Sequence, residues 1–105
     1  LEIQSDYFKY TVLANTSTGG VELIRLDDAI PMHVHKKENH FLYIYKGRAK
    51  AAIGKDAVEL SQGQMMAIPA GAPHSIERIG DAPVEIILFS TPPFVIGDTV
   101  FLEER

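Results

Sequence analysis

Four histidines are the residues of this chain best suited to chemistry, and three of them, His33, His35 and His40, fall within eight positions. The fourth, His74, follows 34 residues after His40. Imidazole is the commonest protein ligand for zinc, copper, iron and nickel. His33 and His35 are two apart, so on an extended strand both point to one face. His40 comes after the polar break Lys36-Lys37-Glu38-Asn39 and opens an aromatic, β-branched segment that ends at Gly47. His74 stands behind the rigid corner Pro69-Ala70-Gly71-Ala72-Pro73. Alone, the His-x-His pair also reads as two half-exposed strand histidines. Taken with His40 and His74, all four imidazoles are expected to converge on one divalent transition metal ion: Fe, Mn, Ni, Cu or Zn.

Such a site needs rigid elements that aim its ligands at one point. Residues 8–13, 21–27, 40–46, 48–53, 57–60, 65–68, 74–79 and 84–90 read as strands. Turn chemistry separates them, as at Asn15 to Gly20, Gly54-Lys55-Asp56 and Ser61-Gln62-Gly63. Short strands with turns about every 8–12 residues predict an all-β sandwich or barrel. Pro31 has no N–H to donate, so the chain is expected to reach the histidines through a bend or an edge. Along 40–46, His40, Leu42 and Ile44 should face one way and Phe41, Tyr43 and Tyr45 the other. Residues 1–7 read as a loose arm or edge strand, and the tail 94–105 as packing across the outside. Met65 and Met66 read as core filling. Glu22, Glu59 and Glu85 read as solvent-facing. Phe41, Phe89 and Phe94 read either as core or as cavity lining.

Composition sets the outer limits. The 105 residues suit one domain, 1–105, with a single core. A net charge of -4 without a Lys/Arg block argues against nucleic acid and anionic membrane surfaces as partners. With no cysteine, thiolate sites and disulfides are excluded, and any metal must take N and O ligands. The missing cysteines and the lack of a signal-peptide pattern or long apolar run favour a cytoplasmic setting. The first residue is Leu, so a processed or trimmed product is expected.

Positions 33–47 and 63–78 together resemble the two motifs of the cupins. The first motif is His-x-His, three or four residues, Glu, six residues, Gly; His33, His35, position 40 and Gly47 fall in register. Tyr43 also matches a common residue of that motif. Gly63, Pro69, Gly71 and His74 match the second. The sequence departs from the pattern at three places: His40 replaces the acidic ligand, Asp27 an early glycine and Arg78 a final asparagine. Glu38 is an alternative ligand, but its spacing to Gly47 is off by two.

The resemblance implies a double-stranded β-helix barrel of two antiparallel sheets and a homodimer paired through an N-terminal strand or the outer face of one sheet, with residues 1–13 and 93–102 able to serve. It also implies a metal site of His33, His35, His40 and His74 that binds a small-molecule ligand or substrate. Four neutral imidazoles leave a divalent charge uncompensated, which favours an anionic or enolisable substrate. A dioxygenase-like oxidoreductase is the leading expectation. A sugar-phosphate isomerase-like enzyme and a non-catalytic binding or sensor module are the alternatives. No catalytic side chain is assigned. Arg78 shares the parity of His74; it either clamps a carboxylate inside the barrel or sits at the rim against Glu77 or Asp81.

Overall fold

The computed structural model describes residues 2–4 and 7–102; residues 5 and 6 of the arm, residue 1 and the acidic end 103–105 lie outside the described residues. Eleven strands form among them. In chain order these are β1 (Glu2–Gln4), β2 (Phe8–Asn15), β3 (Gly20–Leu26), β4 (Ala29–His35), β5 (Asn39–Lys46) and β6 (Arg48–Ile53). They are followed by β7 (Asp56–Ser61), β8 (Met65–Ile68), β9 (His74–Arg78), β10 (Val84–Thr91) and β11 (Thr99–Phe101). The order β1-β2-β3-β10-β5-β8 makes a six-stranded sheet, and β11-β4-β9-β6-β7 a five-stranded one. Every pairing is antiparallel. This is the expected double-stranded β-helix barrel.

Alternation along the strands builds the interior. β3 buries Glu22, Ile24 and Leu26, and β5 buries His40, Leu42 and Ile44. Leu26, Ile44, Val84 and Ile86 are fully buried, each such side chain contributing about 1.5–3 kcal/mol through lost water contact. Gly47 turns β5 into β6 with a φ of +86°, and a Cβ there would lie 2.8 Å from the Pro83 carbonyl oxygen. Both the backbone angle and the contact require glycine.

Four expectations are corrected. β4 runs through Pro31 without a break, and Pro31 is fully buried. The β4–β9 register shifts between Ile30 and His33, so the missing N–H falls where the ladder is already irregular. Met65 is 60% exposed, so only Met66 packs on the core. Residues 94–101 do not pack across the outside: β11 extends the sheet beside β4, and Phe94, Val95, Thr99 and Phe101 help wall the interior cavity. Glu22 is buried, not solvent-facing. Phe41 and Phe89 stand half-exposed on the outer face, and Phe94 turns inward.

Candidate metal centre

The strand pairing brings the four histidines together. His33 and His74 are direct cross-strand partners on β4 and β9. His35 lies two residues along β4 on the same face, and all three are buried. The Gly71 N–H donates to the His35 carbonyl at 2.7 Å, which ties the Pro/Gly corner to the His-x-His strand. His40 faces them from β5 in the other sheet, its ring centroid 4.0 Å from that of His35. The ring centroids of His33 and His74 are 4.1 Å apart.

Two overlapping groups of ligand atoms result. His33, His35 and His74 offer nitrogens within 4.8 Å of one another, and so do the ligand atoms of His35, Glu38 and His40. His35 belongs to both. Glu38 is thus beside the cluster, although its sequence spacing did not place it there.

Hydrogen bonds fix which nitrogen each ring presents. His33 Nδ1–H donates to the Pro31 carbonyl at 2.7 Å, and His74 Nδ1–H to the Ala72 carbonyl at 2.9 Å. A carbonyl only accepts, so both rings keep a free lone pair on Nε2. His35 Nδ1 is 3.0 Å from the Thr99 hydroxyl, which can accept. His40 is turned the other way. Its Nε2 lies 2.8 Å from Glu38 Oε1, so in the neutral ring Nδ1 carries the lone pair.

Glu38 is buried and fully engaged. Its Oε2 accepts the Val95 N–H at 2.8 Å, and Ser90 Oγ stands 3.1 Å from Oε1. Burial alone would raise its pKa, but the bonds from His40, Val95 and Ser90 outweigh that and hold it below the usual value. Asp98, also buried, returns the contact by accepting the Lys37 and Glu38 N–H groups at 2.8 and 3.1 Å. The two carboxylates clasp the β4–β5 loop to the segment after β10.

Three of the imidazoles, His33, His35 and His74, are held neutral. Burial, then neighbouring histidines, lowers His35 to about 3. Burial lowers His74 to about 4, the Ala72 bond opposing it, and burial also lowers His33. Neutral rings with lone pairs directed at one another are poor neighbours for protons and good ones for a divalent cation. The donor set therefore fits a metal ion.

The cluster opens into a cavity of about 380 Å³ with a mainly aliphatic and aromatic wall. Among the described residues no Lys or Arg lines it. Arg78 is half-buried and lies outside this lining. Glu22 lines it, which sequence reasoning missed. The available signal was parity: Glu22 shares a strand face with Ile24 and Leu26.

Burial, then the charge of Glu38, raises Glu22 to about 7. This gives a signed prediction for stability. The folded chain holds the Glu22 proton between the ordinary value of 4.5 and about 7, where the unfolded chain has released it. Stability from this group is therefore lost as pH rises through that window. Glu22→Gln removes the loss. Urea unfolding in the presence of a chelator should show the variant near the wild type at pH 4 and about 1–2 kcal/mol more stable relative to it at pH 8, allowing for water in the cavity. A difference that does not change with pH would contradict the assignment.

With barrel and site in place, the class is defined: the chain belongs to the Cupin domain family, whose model matches residues 20–90. Among relatives, it is 35% identical over 72 residues to an uncharacterized protein of Methanocaldococcus jannaschii, covering 69% of this chain and 58% of that protein. It is 37% identical over 71 residues to quercetin 2,3-dioxygenase of Bacillus subtilis, covering 62% of this chain and 21% of that enzyme. The chain thus spans less than two thirds of the length of either. In backbone it resembles Pac13 of Streptomyces, a nucleoside dehydratase, with a TM-score of 0.85, 12% identity, and coverage of 98% of this chain and 84% of that one. No helix among the described residues is long and apolar enough to cross a membrane.

Proposed function

We propose that this protein is a metal-dependent oxidoreductase of dioxygenase type acting on a small organic molecule, with one divalent transition metal held by His33, His35, His40 and His74. The observation that carries the proposal is the convergence of buried imidazoles at the end of an apolar cavity. The partial likeness to quercetin 2,3-dioxygenase supports the reaction class. A bound ion would supply Lewis acidity and a coordination position for substrate or dioxygen.

The chain's own residues do the rest. The Pro31 and Ala72 carbonyls hold the tautomers of His33 and His74, and Glu38 holds that of His40. The apolar wall excludes water and takes the body of the substrate. An anionic group on the substrate finds no Lys or Arg among the described residues, so its place is at the metal. The same absence removes support for a sugar-phosphate substrate, which needs cationic or amide-rich phosphate contacts.

Oxygen uptake with Fe, Mn, Ni, Cu and Zn forms against a panel of enols, phenols and keto acids tests the reading. Uptake with one metal form and one substrate group is the expected result. No uptake with any form would overturn the oxidoreductase assignment.

We also infer a cytoplasmic homodimer. What supports a contact on the outer face of the six-stranded sheet is that Phe41 and Phe89 are cross-strand neighbours there, each 39% exposed. Met65 and Tyr45 extend the apolar area, and the Lys46–Glu85 ion pair at its margin brings both signs of charge to a self-complementary contact. Light scattering should give twice the monomer mass for the wild type. The double variant Phe41→Glu/Phe89→Glu should be monomeric with an unchanged metal content. A dimer that survives both charges would move the contact elsewhere.

A further inference from the structure

Glu22 is out of place by the logic of the barrel. It lies on the inward face of β3, next to Ile24 and Leu26. Its neighbour across the sheet is Leu88 on β10, and Leu88 in turn lies opposite Leu42 on β5, the strand that carries His40. Aliphatic side chains thus separate it from the histidine strand. A carboxyl in such a wall loses hydration and needs a compensating hydrogen bond.

No hydrogen bond to its carboxyl comes from the described residues, and because no fully buried side-chain oxygen is left unpaired, the carboxyl oxygens reach the cavity. The cavity's other carboxyl, Glu38, is engaged by His40, Ser90 and Val95. The groups that act on Glu22 are its apolar surroundings and the charge of Glu38, both of which make its own charge less favourable. Among the described residues no Lys or Arg lines the cavity. A buried carboxyl that faces the cavity, with no donor among the described residues, points to a partner from outside the chain.

Resting on the metal reading above, we propose that Glu22 is a specificity residue: it hydrogen-bonds a hydroxyl of a small, mainly apolar ligand whose metal-binding oxygen lies at the histidine cluster. The cavity of about 380 Å³ suits a molecule of one or two rings. A carboxyl poised near neutrality either accepts from that hydroxyl or donates to it. A ligand carrying a methoxy group at the same place leaves Glu22 without a donor and adds bulk.

The probes are 3- and 4-hydroxybenzoate and their methoxy analogues, titrated calorimetrically into the cobalt(II)-loaded protein. Their carboxylate supplies the metal-binding oxygen. The wild type should prefer the hydroxy form at one ring position by about tenfold or more. Glu22→Leu should keep its cobalt and lose that preference, and Glu22→Gln should keep part of it. Equal ranking by the wild type and Glu22→Leu, both cobalt-loaded, overturns the role of Glu22 alone. A cobalt-loaded wild type with no preference at either ring position overturns that role as well. A wild type that takes up no cobalt overturns the metal reading, and this inference with it.

Discussion

His35→Ala is expected to abolish metal binding, whereas His40→Ala should only weaken it. His35 is the one residue common to both groups of converging ligand atoms. Removing it leaves His33 and His74 on one side and the His40–Glu38 pair on the other. Removing His40 leaves His33, His35 and His74 intact, enough for a three-histidine site. We expect His35→Ala to purify without stoichiometric metal, and His40→Ala to lose about 10–100-fold in affinity.

The effect should appear in stability too. A metal at about 1,000 times its dissociation constant stabilises the folded state by about 4 kcal/mol, which for a domain of this size is on the order of 15 °C or more in Tm. That shift should vanish in His35→Ala and persist, reduced, in His40→Ala. Elemental analysis and thermal melts with and without chelator check both. Stoichiometric metal in His35→Ala would refute the proposed centre.

Much of this site was legible because its parts are local. His33 and His35 share a face by parity alone, and the Pro69–Pro73 corner announces the turn that delivers His74. The inward set of β5 followed from alternation, and the all-β barrel from the rhythm of strands and turns. What stayed hidden depends on contacts distant in sequence or on departures from a local rule. Glu38 meets Val95 across 57 positions, and Asp98 meets Lys37 across 61. Neither pairing leaves a mark in spacing. Pro31 reads as a breaker, yet a register shift in β4–β9 absorbs it. Glu22 reads as a surface carboxylate because most strand glutamates are, although its parity with Ile24 and Leu26 marked the inward face, where it lines the cavity. Met65 and Met66 are adjacent on one strand, so alternation itself required one of them to point outward.

Glu38→Gln should reduce metal affinity by about 10–100-fold while leaving the fold in place, and it should do so by acting on His40. A carboxylate offers acceptors on both oxygens; an amide offers an acceptor on one side and two donors on the other. The Val95 N–H is a backbone donor with no alternative form, so the amide oxygen must turn toward it. The amide nitrogen then faces Ser90 and His40 Nε2. Ser90 can accept, because its single hydroxyl proton can turn wholly to the Pro92 carbonyl at 2.6 Å. His40 avoids a clash of donors by moving its proton from Nε2 to Nδ1. That places a hydrogen on the nitrogen whose lone pair the site uses, and His40 ceases to be a ligand.

Because the step runs through one residue, Glu38→Gln and His40→Ala should not add. The double variant should bind metal about as weakly as His40→Ala alone. Glu38→Leu, by contrast, leaves the Val95 N–H and His40 unpartnered at the clasp and should cost about 3 kcal/mol of stability even without metal. Wild-type affinity in Glu38→Gln, or losses that add in the double variant, would remove Glu38 from the control of His40. An additive loss would instead point to Glu38 as a ligand in its own right, since its carboxylate, His35 and His40 already lie within reach of one ion.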